Sequence, residues 1–167
     1  MDCAARRLRL GALDVPCAIG RGGAIAADAK REGDGATPLG QWRLMGALLR
    51  PGRGFAPPAL PWRWLRPWDG WSDGVGDPAY NRPVSHPHGW SAERLWRDDH
   101  VYDVILWLDH NSNPPVQGHG SAIFWHLAQD DFRPTEGCVA IAPDAMRAIL
   151  PLLRPGMAIG VEPGIAA

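Results

Sequence analysis

Cys138 follows a glycine and leads into the apolar run Val139 to Ile141, within "RPTEGCVAI". The plainest role for such a thiol is burial, because unpaired cysteine is among the most buried side chains. It becomes a nucleophile when a base stands within reach, most often a histidine on a neighbouring strand. His126 stands near the end of the apolar stretch "SAIFWHLA", twelve positions before Cys138, and the intervening "QDDFRPTEG" is rich in turn-formers. A hairpin-like return would set the two side chains together. Gly137 has no side chain to hold a substrate carbonyl away from the backbone, so the N–H groups of Gly137 and Cys138 are candidate donors to an oxyanion.

The elements that must hold these residues read as mainly β. Leu8, Leu10, Leu13 and Val15 alternate around Gly11, and "PCAIG" is a second apolar run. "KREGDGATPLGQWRL" gathers Gly33, Gly35, Pro38 and Gly40 into a loop feeding a strand through Trp42 and Leu44. Val101 to Leu108 is a strand candidate, closed by the turn-rich "HNSNPPVQGHGS"; "SAIFWHLA" and "VAIA" follow. "PDAMRAILPLL" opens on Pro-Asp and spaces Met146, Ile149 and Leu150 as a helix that should stop near Pro151 to Pro155. "GMAIGVEP" supplies a closing strand. Residues 51–90, dense in Pro, Gly and Trp, sustain no period and read as an irregular loop or cap insertion. Their tryptophans suit stacking on sugar rings or a satellite core. With 167 residues, 46% of them hydrophobic, one domain over 1–167 is expected.

Composition excludes several roles. A formal net charge of -1 offers no basic stripe, so no nucleic-acid partner is expected. Lys30 is the lone lysine among many arginines, a bias that a GC-rich genome explains. Cys3, Cys17 and Cys138 are odd in number and too far apart for a CxxC knuckle, which leaves at least one thiol free. Cys17 falls in a strand and Cys3 near the terminus, so neither is a candidate nucleophile. His86 and His88 lack a carboxylate or cysteine at ligand spacing, and "EGDG" lacks the rest of a calcium loop. No metal and no cofactor are expected. No apolar run approaches the ~18 residues of a membrane span. Asp14 and Pro16 interrupt any export signal at the start, so none is expected.

"GSAIFWHLAQDDFRPTEGCVAI" resembles the active-site segment of the YkuD-type L,D-transpeptidases, where a strand-end His precedes a Ser/Thr-x-Gly-Cys turn. "GATPLGQWRL" is similar to the family's Thr-Pro-x-Gly-aromatic opening strand, and "PDAMRAILPLLRPGMAIGV" to its closing helix and strand. "KREGDGATP", "DPAYNRPV" and "GSAIF" with its following His resemble the family's short bacterial branch.

The resemblance implies a YkuD-like β-sandwich, mainly β with one or two helices, that performs cysteine acyl transfer. Cys138 would attack a peptidoglycan stem-peptide carbonyl, with His126 as base and Gly137 and Cys138 N–H groups holding the oxyanion. A backbone carbonyl near the preceding turn would orient the imidazole. The amine of a neighbouring stem would accept the acyl group, giving 3-3 cross-links, or 1-3 links from L-Ala to diaminopimelate. Arg133 and Arg82 are candidate anchors for stem carboxylates, with Thr135, Asn81 and Tyr80 as polar neighbours; a solvated surface arginine is the competing role for each. His119 also satisfies a loose form of the motif and is the alternative base. His126 is preferred for its apolar lead-in, Ile123 to Trp125. The family's more usual turn is Ser-His-Gly-Cys, followed after one small residue by Arg or Asn; Glu136 and Ala140 depart from it.

A monomer is expected, placed in the periplasm on functional grounds and acting in cell-wall and cell-shape chemistry, with carbapenem sensitivity. Competing functions are hydrolysis of the same acyl-enzyme as an L,D-carboxypeptidase or endopeptidase, a catalytically idle Trp-rich wall-binding module, and a redox-sensing thiol.

Overall fold

A computed structural model describes residues 1–164 of the chain; the last three residues of the expected 1–167 domain lie outside the described ones. The alternation around Gly11 forms a hairpin. β1 (Arg7–Leu10) and β2 (Leu13–Ala18) pair antiparallel with Leu10 opposite Leu13, and Gly11 takes a φ of 57° that favours glycine. The Gly-rich loop that follows is pinned by a short parallel pair, β3 (Ala24–Ile25) with β4 (Thr37–Pro38). It feeds the long β5 (Gly40–Leu49), as the sequence predicts.

Eight strands make the main sheet. From β2 the order runs through β12 (Val139–Ile141), β11 (Phe124–Leu127), β10 (Val104–Leu108), β5 and β13 (Ala158–Val161), with β6 (Trp62–Trp64) also pairing β5. The central strands are covered on both faces, so they read as continuous apolar runs in place of alternation. Val104, Leu106, Trp125, Leu127, Val139 and Ile141 join one core with Met146, Ile149 and Leu150. Those last three belong to α1 (Pro143–Ile149) and the 3-10 turn Leu150–Leu152 after it. Pro143 starts the helix where its missing N–H costs nothing, and Pro151 lies in the turn that ends it. On the opposite face, Leu48, Ile105, Phe124 and Cys138 pack under Trp71, Leu95 and Tyr102. Each fully buried Leu or Phe contributes roughly 1.5–3 kcal/mol relative to exposure.

Most of 51–90 is irregular, as expected, but short strands interrupt it. That region contains β6, β7 (Asp69–Ser72) and β8 (Pro83–Ser85), and with β9 (Ala92–Arg94) the latter two form a three-stranded antiparallel sheet in the order β8-β7-β9. Strands of three or four residues are too short to show a period. Trp71 on β7 meets Phe124 edge-to-face at 5.1 Å, which fixes this sheet over the Cys138 face. Trp62, Trp64, Trp68 and Trp90 are exposed. Trp62 and Trp64 pair with Ala47 and Leu49, whose side chains join the helix-side core, so these two tryptophans sit on the sheet face away from Cys138. The strand read from Val101 begins at Val104; Val101 to Asp103 is a turn closed by Asp103 N–H on His100 O at 2.9 Å.

Candidate active site

β11 and β12 run parallel, with Trp125 opposite Val139 and His126 opposite Ala140. The expected hairpin return is therefore wrong in direction. The chain instead leaves β11 at Leu127, crosses back on the connection from Ala128 to Cys138, and enters β12 beside the start of β11. Side chains alternate along both strands, so Phe124, His126, Cys138 and Ala140 share one face. Parallel pairing still unites the two candidate catalytic groups, two residues apart along the ladder and so on the same face.

The crossing loop is held by backbone from the start of the chain. Thr135 N–H donates to Ile19 O at 2.9 Å and Arg21 N–H to Thr135 O at 2.8 Å. Thr135 Oγ1 donates to Cys138 O at 2.7 Å and accepts Gly137 N–H at 3.2 Å, so the hydroxyl closes the turn that presents the cysteine. Gly137 has a φ of 130°, and a Cβ there would lie 2.8 Å from Ala36 O. At Gly20 a Cβ would lie 2.2 Å from Gly35 O. Three backbone segments stack here with room only for glycine, which gives the "GATP" and "IGRGG" motifs a physical purpose. Glu136, on the solvent side, pairs with Arg21 at 2.9 Å.

The thiol and the imidazole are both neutral at rest. Burial pushes the Cys138 thiol up to about 12, the charge of Glu93 adds to that, and the Phe124 N–H at 3.4 Å and Lys30 oppose it. Cys138 Sγ donates to Ala122 O at 3.2 Å. Burial likewise lowers His126 to about 4, against the opposing hydrogen bond to Leu127 O. His126 Nδ1–H donates to that carbonyl at 2.9 Å, which leaves Nε2 with its lone pair. The orienting group thus comes from the residue after the histidine and not from the preceding turn. Tyr102 stacks edge-on against the imidazole at 5.2 Å, and its hydroxyl donates to Glu93 Oε1 at 2.5 Å.

A cavity of about 470 Å³ opens over this face, lined among others by Cys138, His126, Tyr102, Thr135, Arg133 and Gln129. The other candidate residues lie elsewhere. Tyr80 is buried with its hydroxyl on Glu32 Oε2 at 2.5 Å, and among the described residues the Arg82 guanidinium reaches only Asn81 O at 3.4 Å. Neither lines the cavity. Asn81, buried and at a φ of 55°, has its amide fully occupied. Its Oδ1 accepts Trp71 Nε1–H at 2.8 Å and Ala122 N–H at 3.1 Å, while Nδ2 donates to His110 O and Asn111 O. His119 also lies off the cavity, and its carbonyl faces His110 Nε2 at 3.2 Å.

Sequence reasoning missed Ala122, Tyr102 and Glu93. Ala122 holds a left-handed φ of 52°, which no sequence pattern announces for alanine. Cys3 and Cys17 are free and buried, with burial raising both thiols, Cys17 to about 11. Both sit away from the cavity. Among the described residues no helix is long and apolar enough to cross a membrane.

The model of the YkuD family, described as the L,D-transpeptidase catalytic domain, matches residues 5–161. The chain belongs to this family. The match spans β1 through β13, so the YkuD domain includes the crossing loop, the small sheet above the cleft and the closing strand. No curated protein and no solved structure matches the chain.

Proposed function

We propose that this YkuD domain is a peptidoglycan L,D-transpeptidase in which Cys138 is the nucleophile and His126 the base. The observation that carries the proposal is the shared face of β11 and β12: a cysteine and a histidine with its Nε2 lone pair available line one cavity on adjacent strands. Because both groups rest neutral, attack couples to proton transfer. The thiol leaves Ala122 O, its proton passes to His126 Nε2, and sulfur bonds to the stem-peptide carbonyl carbon. The oxyanion takes hydrogen bonds from Cys138 N–H and from Gly137 N–H, which Thr135 Oγ1 holds at rest. As the C–N bond breaks, His126 returns the proton to the departing amine and a thioester remains. An acceptor amine then attacks the thioester, gives its proton to His126, and releases the sulfur to be reprotonated.

Arg133, on the exposed rim of the cavity, is placed to meet a stem carboxylate. Glu136 stands where the family's turn usually has His and Ala140 where it has Arg or Asn, which leaves room for a donor bond other than the 3-3 one, including the 1-3 variant. Peptidoglycan as substrate places the reaction outside the cytoplasm, in the periplasm, with a monomer sufficient for the site. The idle wall-binding alternative draws on the buried, neutral thiol. Incubation with muropeptides, read by mass spectrometry beside Cys138→Ala, separates the cases. New dimers lost in the variant support transfer; shortened monomers without dimers indicate hydrolysis; no turnover at all contradicts both.

A further inference from the structure

We propose that the end of the cleft walled by Glu32, Asp73 and Glu93 binds a primary ammonium group on the peptide substrate. This rests on the acyl-transfer reading of Cys138. The three carboxylates come from separate parts of the chain: Glu32 from the loop between β3 and β4, Asp73 from just after β7, and Glu93 from β9. All three line the cavity that holds Cys138.

None of them has an ion-pair partner among the described residues, whereas Glu136 on the same cavity pairs with Arg21, and Arg97, which also lines it, pairs with Asp99. Among the described residues the Glu32 and Glu93 carboxylates each accept only a tyrosine hydroxyl, from Tyr80 and Tyr102, both at 2.5 Å. Beside them Ser121 lines the same wall, 7% exposed, and among the described residues neither its Oγ nor Asp73 Oδ1 has a hydrogen-bond partner. Burial raises the Glu93 carboxyl, the Tyr102 hydroxyl and the charge of Arg97 oppose that, and the charges of Asp73 and Glu32 add to the rise. Like charges in a half-enclosed cleft repel, and a cation between them relieves the cost.

Among the described residues no three carboxylate, His or Cys groups gather closely enough to hold a metal ion. The acidic groups are spread along a wall, which fits an ammonium on a flexible chain, with neighbouring amide or hydroxyl groups meeting Ser121. Arg133 and Arg97 line the same cavity, Arg133 without an ion partner among the described residues and Arg97 paired with Asp99, so the cleft presents both signs of charge. A stem peptide carrying both carboxylates and an amine matches that polarity. The ammonium comes from the acceptor stem or from the donor's own diamino acid, and the two are separable by the step affected.

The test titrates Cys138→Ala protein calorimetrically with the stem tripeptide L-Ala-γ-D-Glu-diaminopimelate, and with the same peptide acetylated on its side-chain amine. The free amine should bind about tenfold tighter, equivalent to ~1.4 kcal/mol. The preference should vanish when Glu93→Gln or Asp73→Asn is added. Equal binding of the two peptides, no binding of either, or a preference that survives both substitutions overturns the proposal. Binding is read without turnover, so this result is independent of whether Cys138 forms an acyl-enzyme. In the active protein, Glu93→Gln should lower either the share of thioester captured by amine, which identifies the acceptor, or the acylation rate, which identifies the donor. No change in either step contradicts the site.

Discussion

Cys138 Sγ donates its hydrogen to Ala122 O at 3.2 Å, and no hydrogen bond joins the thiol to His126 among the described residues. The proposed nucleophile is therefore stored as a thiol, in contrast to enzymes that keep a cysteine–histidine ion pair. Substrate binding, not the resting site, must trigger proton transfer.

Slow chemical modification of the free enzyme follows. With the thiol pushed up to about 12, the thiolate is scarce at neutral pH. Iodoacetamide should alkylate Cys138 at pH 8 on the order of a thousandfold more slowly than an ordinary cysteine with a pKa of about 8.5. The rate should rise about tenfold per pH unit up to pH 10 without a plateau. Mapping by peptide mass spectrometry keeps Cys3 and Cys17 separate. A plateau near pH 7 would reveal an ion pair.

Ala122, which receives the thiol hydrogen, is itself held by Asn81. Asn81→Ala would leave Trp71 Nε1–H, Ala122 N–H and two carbonyls without their partner. The expected loss is about 2–4 kcal/mol of stability by denaturant midpoint. A fall in Cys138 acylation rate at temperatures where the variant remains folded would show that Asn81 also positions the nucleophile.

Glycine at position 20 is predicted to be required sterically. In Gly20→Ala the new Cβ would stand 2.2 Å from Gly35 O, a clash between two backbone segments that has no flexible side chain to absorb it. A cost of at least ~2 kcal/mol and a displaced Thr135 turn are expected. Gly89→Ala is the control, because nothing lies within 4 Å of its added Cβ. Equal midpoints for the two variants would contradict the stacking of loops under the catalytic turn.

Legibility in the sequence followed element length and periodicity. The long apolar strands and the Pro-started helix were readable, because Val104 to Leu108 and Met146 to Leu150 carry clear burial patterns. The small sheet was not, since β7, β8 and β9 have three or four residues each and depend on tertiary pairing. Cys138 and His126 were legible as a motif, but their parallel arrangement was not, because an eleven-residue link is short for a crossover and reads as a hairpin. The positions of Tyr80 and Asn81 were lost for a different reason. Sequence shows their polarity, whereas only the fold shows that Glu32, Trp71 and Ala122 already occupy it.

His126 gives the fold a pH dependence. Its folded-state value is about 4, below the ordinary 6.5, so the unfolded chain takes up a proton first as pH falls. The group's contribution is complete above about 6.5 and is lost as pH drops to about 4, by ~3 kcal/mol at most. The difference in unfolding free energy between pH 7 and pH 4 should shrink by that order in His126→Gln. Parallel pH profiles would contradict a neutral, buried imidazole.

The most direct test of the central claim is the intact mass of the protein after brief incubation with a stem tetrapeptide or a carbapenem. One covalent adduct is predicted, mapped to Cys138, absent from Cys138→Ala and slowed in His126→Gln by on the order of a hundredfold or more. An unmodified protein under both reagents, or an adduct that persists in Cys138→Ala, would contradict the assignment of Cys138 as the nucleophile.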